Sequence, residues 1–339
     1  FHAGPEVTLE QDLLRRDLTV NAIAEDRKGK RIDPFNGVAD VHERTFRHVS
    51  PAFSEDPVRL LRLARFATRF TDFSIAEQTL ALCRQLVASG EVDALVAERV
   101  WREMARALQY DRPSRFFRIL LQIGALARLL PEVDDLFGVP QRPEFHPEID
   151  VGEHTLQVLD QCARLNGGLE TRYACLLHDL GKALTPESDW PAHRGHELLG
   201  LPAVRAVSDR LKVPKVCREL ALLVCEHHLK VQRAQELRPA TVVDLIQRLD
   251  GWRRTDRFEQ VLLACLADQM GRQPLDQLAT GQNQPVPMLP AIEFLRRARN
   301  ETERVSSEAL VAQGMTGIAL ADAIRRQRID RVRSIRQSP

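Results

Sequence analysis

A mostly α-helical protein is predicted by three features of the sequence. Stretches rich in Leu, Ala, Arg and Glu recur, alternating Val/Ile/Thr-rich runs are scarce, and aromatic residues are only 5% of a chain that is 44% hydrophobic. Its 339 residues admit two or three domains, each with its own core. The 48 Lys and Arg against 47 Asp and Glu give a formal net charge of +1. That excludes a globally basic nucleic-acid binder and confines any RNA contact to local patches. Cys83, Cys162, Cys175, Cys217, Cys225 and Cys265 are scattered, form no CxxC pair and sit mostly in apolar helical patterns. They read as reduced core residues of a cytosolic protein. With no leader and no apolar span near the ~20 residues of a membrane helix, a soluble cytoplasmic chain is expected.

The elements follow in order. Residues 1–50 are the least helical: "KGKRIDPFNGVADVHERTFRHV" turns at Gly29 and again from Asp33-Pro34 to Gly37, with short extended pieces between, like the end of an α/β domain. From Ser54 to about Leu130 the pattern is helical, with breaks near Gly90, Arg112-Pro113 and Gly124. Ser54 is expected to cap the first helix, followed by two acids in its positive first turn and by Pro57 where a missing N–H costs little. Asp56 and Arg59 then share a face, and Arg62, Arg65 and Arg69 extend a partly basic surface. The proline-bearing segment "EVDDLFGVPQRPEFHPEID" separates this block from a second helical one, about 150–275. A loop, "GRQPLDQLATGQNQPVPMLP", leads to a last helix carrying Arg325, Arg326, Arg328, Arg331, Arg333 and Arg336 around an Ala/Ile/Val stripe. By composition that helix is a solvated basic one.

Chemistry concentrates in two places. In "CLLHDLGKALTP" an apolar run ends on His178-Asp179; "EHTLQVLDQCARL" carries His154 at its start, and Asp268 lies among Leu and Ala in "VLLACLADQMGR". A carboxylate in such company is costly unless paired or bound to a cation. Imidazoles and carboxylates from three helices suit a divalent first-row ion, which can acidify water. The competing account is structural: a cap at His154, a His178–Asp179 hydrogen bond, and an Asp268–Arg pair. The pattern H…HD…D resembles the HD phosphohydrolase superfamily, with "HDLGK" its most specific piece. The resemblance implies His154, His178, Asp179 and Asp268 as metal ligands, His178 and Asp179 in catalysis, and Lys182 placed to meet a phosphate. His193, His196, His227 and His228 fall between these anchors, at positions some members of that superfamily use for a second ion, and the ordinary reading of each as a core histidine stands beside that one.

The second place is arginine-rich: "RRDLTVNAIA" (15–24), "DPFNGVADVHERTFRHV" (33–49) and "SEDPVRLLRLARF" (54–66). A surface salt bridge is the plain reading of Asp56 and Arg59. A sharper one is that a carboxylate accepting from an exocyclic amino group and a guanidinium donating to a ring nitrogen admit cytosine and adenine and refuse uracil and guanine. The three stretches resemble the motifs of bacterial class II tRNA nucleotidyltransferases, the CCA-adding enzymes, and their order resembles the multifunctional members that also carry an HD domain. The resemblance implies that Asp56 and Arg59 read the base and that Arg15, Arg16, Asp17, Asn21 and Arg62 bind the nucleotide. It makes Glu98 and Arg99 of "ERVWREM" structural neck residues and sets the basic tail against tRNA.

The architecture so implied is mostly α: the C-terminal remnant of an α/β nucleotidyltransferase head (1–50), a helical neck and body with the amino-acid template (51–140), an all-α HD domain (145–275) and a helical tRNA-binding tail (276–339). Substrates would be tRNA, CTP and ATP, with Mg2+ for nucleotidyl transfer and a divalent transition metal in the HD domain. The family's Gly-Gly loop and DxD carboxylates belong upstream of "RRDLTVNA", and the sequence, which starts at Phe1, shows neither there. The expectation is that this chain alone binds nucleotide poorly and does not transfer it. Rival functions are a stand-alone HD nucleotidase and a non-catalytic tRNA-binding protein with a structural metal.

Overall fold

The computed structural model describes residues 7–144, 149–272 and 289–337. The start at Phe1 and all but the ends of the proline-bearing loop between 271 and 290 lie outside them. Contacts divide the chain into two compact units, Phe1–Val139 with Ala206–Val213, and Pro140–Arg205 with Pro214–Pro339. Among the described residues no helix is long and apolar enough to cross a membrane.

The first unit opens with α1 (Leu9–Leu14), started by a reciprocal capping box between Thr8 and Gln11. An antiparallel hairpin, β1 (Ala24–Glu25) and β2 (Arg31–Ile32), turns near Gly29, whose φ of 79° falls in the left-handed region. Before α2 (Gly37–His42) the Asp33 carboxylate accepts from the N–H groups of Gly37 and Val38 at 2.7 and 2.9 Å. Gly37 has to be glycine because a Cβ there would lie 2.1 Å from the Thr19 carbonyl oxygen. β3 (Thr45–Phe46) then pairs in parallel with β4 (Ser74–Ile75), a strand inside the stretch that reads as helical in sequence. Phe46, 1% exposed, clusters with Phe66, Phe70 and Phe73 and so buries this pairing.

Two local expectations are corrected between these strands. A 3-10 turn occupies Pro51–Glu55, and α3 (Val58–Arg69) begins only after it. Ser54 therefore caps nothing; Asp56 does, its Oδ1 accepting from Val58 N at 3.2 Å while its backbone stays extended. Arg65 does not belong to the basic surface. It is 6% exposed, its Nε lies 2.5 Å from Glu103 Oε2, and its Nη1 reaches the Tyr110 hydroxyl. The unit continues through α4 (Glu77–Ala88), α5 (Ala97–Leu108), α6 (Ser114–Gln122), α7 (Ala125–Leu129) and α8 (Pro131–Asp134), with α3 packed on α5 and α6. Gly90 and Gly124 adopt positive φ at the breaks their positions suggest.

In the second unit α9 (Val151–Arg164), α10 (Leu169–Leu177), α12 (Lys215–Gln232) and α14 (Thr255–Gly271) form a bundle around α10, while α11 (His196–Arg210) and α13 (Pro239–Arg248) flank it. Tyr173, Ala174, Leu176 and Leu177 on α10 are fully buried. The residues that follow them, His178 and Asp179, are thus delivered into the middle of the bundle. The remaining helices are α15 (Pro290–Glu303), α16 (Glu308–Ala312) and α17 (Gly317–Gln337), with α17 packed on α13 and α15. Much of α17's charge holds that packing: Arg325 pairs with Asp244 at 3.0 Å and Arg328 stacks on Trp252 with its guanidinium 3.6 Å from the ring centre.

Candidate functional site

The bundle brings the four sequence anchors together. His154 Nε2 lies 3.1 Å from Asp268 Oδ1, His178 Nε2 lies 3.1 Å from Asp179 Oδ2 and 3.9 Å from Asp268 Oδ1. Ligand atoms of His154, His178 and Asp179 fall within 4.8 Å of one another, and a second group, Asp179, His196 and His228, satisfies the same limit. Asp179 joins the two: its Oδ1 faces His196 Nε2 at 3.2 Å and His228 Nε2 at 3.6 Å. All six side chains are at least 94% buried, and none belongs to an ordinary hydrophobic core.

The local chain explains how they converge. Gly181 and Gly200 let the 3-10 turn after Asp179 touch α11 backbone to backbone; a Cβ at Gly181 would stand 1.9 Å from His196 O and 2.7 Å from Gly200 N. That contact seats His196 beside Asp179. On α12 the His228 Nδ1 donates to Val224 O and Cys225 O at 3.1 and 3.0 Å, on α11 the His196 Nδ1 donates to His193 O at 2.8 Å, and the His178 Nδ1 donates to Cys175 O at 2.8 Å.

Each of these imidazoles spends its N–H on a carbonyl, so in the neutral form the Nε2 lone pair points at a carboxylate or at another lone pair. His196 Nε2 and His228 Nε2 are 3.3 Å apart, and His178 Nε2 makes no hydrogen bond. Such an arrangement is repulsive unless a cation stands between, so this donor set fits divalent metal. Titration agrees at His228, which burial pushes down to about 4 and so keeps neutral; at His178 burial is outweighed by the Asp179 and Asp268 charges, which raise it, so there a proton on Nε2 competes with a metal for the same place. Burial likewise opposes ionisation of the two carboxylates. Even so, His178, Lys182 and His196 hold Asp179, and His154 and His178 hold Asp268, well below the usual range.

The other candidates of this region stand apart from the two groups. His193 Nδ1 meets Thr185 Oγ1 and its Nε2 donates to Pro140 O, both at 2.7 Å. His227, though 1% exposed, faces Glu226 at 3.7 Å and stands in neither group. Lys182, expected to meet a phosphate, is 8% exposed, with Nζ 2.7 Å from both Asp179 Oδ2 and Gln141 Oε1. Gln141 and Gln232, the latter donating to Asp268 Oδ2, are site residues with no signal in the sequence, because a lone glutamine carries no diagnostic spacing.

In the first unit a cleft of about 1010 Å³ is lined by Arg15, Arg16, Asp17, Asp56, Arg59 and Arg62, with Val7, Gln11, Asp12, Leu14, Glu55 and Arg99. Asn21 is not in its wall but supports it, donating to Asp17 Oδ1 at 3.1 Å while Arg62 Nε donates to Asp17 Oδ2 at 2.6 Å. Asp56 and Arg59 line this one cleft without pairing with each other. Arg99 Nη2 donates to Asp56 Oδ2 at 2.6 Å, and Arg59 donates to the carbonyls of Ala52 and Arg15, each at 2.7 Å. Arg99, expected as a structural neck residue, thus also lines the cleft.

Comparison with known proteins identifies the parts of the chain. Residues 151–270 match the HD domain, 72–137 the probable RNA and SrmB-binding site of polymerase A, and 2–47 the poly A polymerase head domain. The class is a polymerase-head protein that carries an HD domain. Over 331 residues the chain is 54% identical to the multifunctional CCA protein of Alkalilimnicola ehrlichii, covering 97% of this chain and 78% of that one. To the protein of the same name from Halorhodospira halophila it is 53% identical over 341 residues, covering 100% and 79%. The chain belongs to the multifunctional CCA protein family. Its fold is shared with the Thermotoga maritima CCA-adding enzyme complexed with tRNA, with a TM-score of 0.60 at 18% identity over 96% of this chain and 70% of that one. A CCA-adding enzyme in apo form II gives 0.62 at 20% identity over 96% and 68%.

Proposed function

We propose that the protein adds C, C and A to tRNA 3′ ends from CTP and ATP in the cytoplasm, and that its HD part hydrolyses phosphate esters at the same ends, 2′,3′-cyclic phosphates among them. Residues 1–50 would close the nucleotidyltransferase head, 51–140 form the neck and body, 145–275 the HD domain and 276–339 a tail against tRNA. One observation carries the first activity: Asp56 and Arg59 line a single cleft together with Arg15, Arg16, Asp17 and Arg62. A carboxylate and a guanidinium in one cleft suit the pairing edge of cytosine or adenine, and further guanidinium groups in its wall suit a triphosphate carried with Mg2+. Arg62 is aimed by Asp17, and Asp17 by Asn21.

For the second activity, His154, His178, Asp179 and Asp268 would hold a divalent transition metal, with His196 and His228 completing a second position around Asp179. The ion supplies Lewis acidity, acidifying water and offsetting charge on a phosphate ester. The chain does the rest: carbonyl-anchored imidazoles fix the ligand nitrogens, buried walls exclude bulk water, and the Lys182 ammonium lies beside the ligand shell as a cation for a phosphoryl oxygen. The test is incorporation of labelled CTP and ATP into tRNA lacking its CCA, by the full-length protein, alongside release of phosphate from tRNA ending in a cyclic phosphate. Incorporation should fall with Asp56→Ala and persist with Asp179→Asn, and phosphate release the reverse. One substitution abolishing both activities without unfolding the chain would refute the two-site reading.

A further inference from the structure

We propose that Gln141 is a positioning residue for the metal centre: its side-chain carbonyl is the neutral berth that draws the Lys182 ammonium off Asp179 when a divalent ion binds. The inference rests on the metal reading above. Asp179 Oδ2 carries two neighbours that cannot all be kept once an ion arrives, His178 Nε2 at 3.1 Å and Lys182 Nζ at 2.7 Å. A lysine cation on a ligand oxygen competes directly with a dication, and at such separations like charges repel strongly even with an effective dielectric constant of about 20. Lys182 is 8% exposed, so its ammonium cannot retreat to bulk water without a rearrangement. The acceptor on its other side is Gln141 Oε1, at 2.7 Å.

Gln141 is built to stay in place. It is 2% exposed; its backbone N–H donates to Ile149 O at 2.6 Å and its side-chain Nε2 to Asp150 O at 3.3 Å. Its neighbour Pro140 is bridged to Asp150, and the Pro140 carbonyl accepts from His193 Nε2. The amide is thereby oriented, nitrogen toward Asp150 and oxygen toward Lys182. Buried, a neutral acceptor of fixed orientation stabilises an ammonium without adding a charge that would itself bind metal. His193, which stands in neither ligand group, has a use here: it holds the segment of chain that presents Gln141.

Metal affinity is the readout, taken on metal-stripped full-length protein titrated calorimetrically with Co2+. Lys182→Met, which removes the competing cation, should tighten Co2+ about tenfold or more. Gln141→Leu, which leaves the ammonium only Asp179 to lean on, should weaken it about threefold to tenfold. Gln141→Glu, nearly the same size, should tighten it by drawing Lys182 away. In the Lys182→Met background Gln141→Leu should change nothing, a non-additivity that a merely structural role would not produce. Wild-type affinity in Gln141→Leu, or the same weakening with and without Lys182, overturns the proposal. Failure of the underlying reading looks different: the wild type would take up no Co2+, or Asp179→Asn would take it up equally well.

Discussion

Replacing Gly181 with alanine tests the geometry of the HD centre most directly, because the obstacle is backbone rather than a movable side chain. The added Cβ would stand 1.9 Å from His196 O and 2.7 Å from Gly200 N, and ordinary contact begins at 3.4 Å. Relief requires the 3-10 turn and α11 to part by about 1.5 Å in a close-packed interior. Overpacking of this kind costs about 1–3 kcal/mol, and a clash with two main-chain atoms belongs at about 3 kcal/mol or above. Parting by that amount also carries His196 away from Asp179, now 3.2 Å apart. Metal ligands tolerate errors of only about 0.2 Å. Gly181→Ala should therefore lower the urea midpoint of the second unit and weaken Co2+ binding at least tenfold. The reverse contact gives a companion, Gly200→Ala, whose Cβ would meet Cys225 Sγ at 2.8 Å and Gly181 N at 3.0 Å, and whose effect should be milder. A Gly181→Ala protein with wild-type stability would refute the contact. Lost stability with unchanged metal affinity would refute the claim that the contact seats His196.

Glu103→Gln leaves the Arg65 guanidinium buried without its anion, since the two are 5% and 6% exposed, and should destabilise the first unit by about 3–5 kcal/mol in chemical denaturation. Removing metal with a chelator should lower the melting temperature of the protein; at a free metal concentration a hundredfold above Kd the loss corresponds to about 2.7 kcal/mol, and an unchanged melt would contradict the fitted donor set. Arg99→Met removes the donor that holds Asp56 Oδ2 and should relax discrimination of CTP and ATP against UTP and GTP by about tenfold, read from kcat/KM for each nucleotide.

What could be read in the sequence was what residue type and spacing determine. Asp268 among leucines and alanines announces a partner or an ion, and adjacent His178 and Asp179 announce a site, because such residues are costly to bury idle. Glycines and prolines likewise mark the breaks at Gly90 and Gly124. Tertiary phase is what spacing does not give. His227 and His228 are consecutive, yet on α12 they point to different surroundings, one to Glu226 and the other to Asp179. His193 and His196 differ likewise, through what the segment before α9 happens to present. Ser54, Glu55 and Asp56 each suit a helix start, and only the 3-10 turn before α3 decides in favour of Asp56. Arg65, one of several arginines on the same helix, is selected for burial by Glu103, 38 residues away.

That choice of cap bears on how the cleft would discriminate bases. Asp56 Oδ1 is held by the Val58 N–H and Oδ2 by Arg99, while Arg59 is held by two main-chain carbonyls, so neither of the two proposed readers waits as an open group. A base gains little simply by arriving, since each new hydrogen bond replaces one already made. Discrimination then lies in the exchange. The amino group of cytosine or adenine can take over the Arg99 donor's place on Oδ2 without loss. The carbonyl of uracil or guanine would set an oxygen against the carboxylate, and it would also oblige Arg59 to give up a carbonyl for a ring N–H that cannot accept. Leaving such groups unpaired costs about 1–3 kcal/mol each. On the proposed reading, two of them together would suffice for selection by a pair of side chains with no nucleic-acid template, and the hydrogen-bonded resting state would make the wrong base lose more than the right one gains.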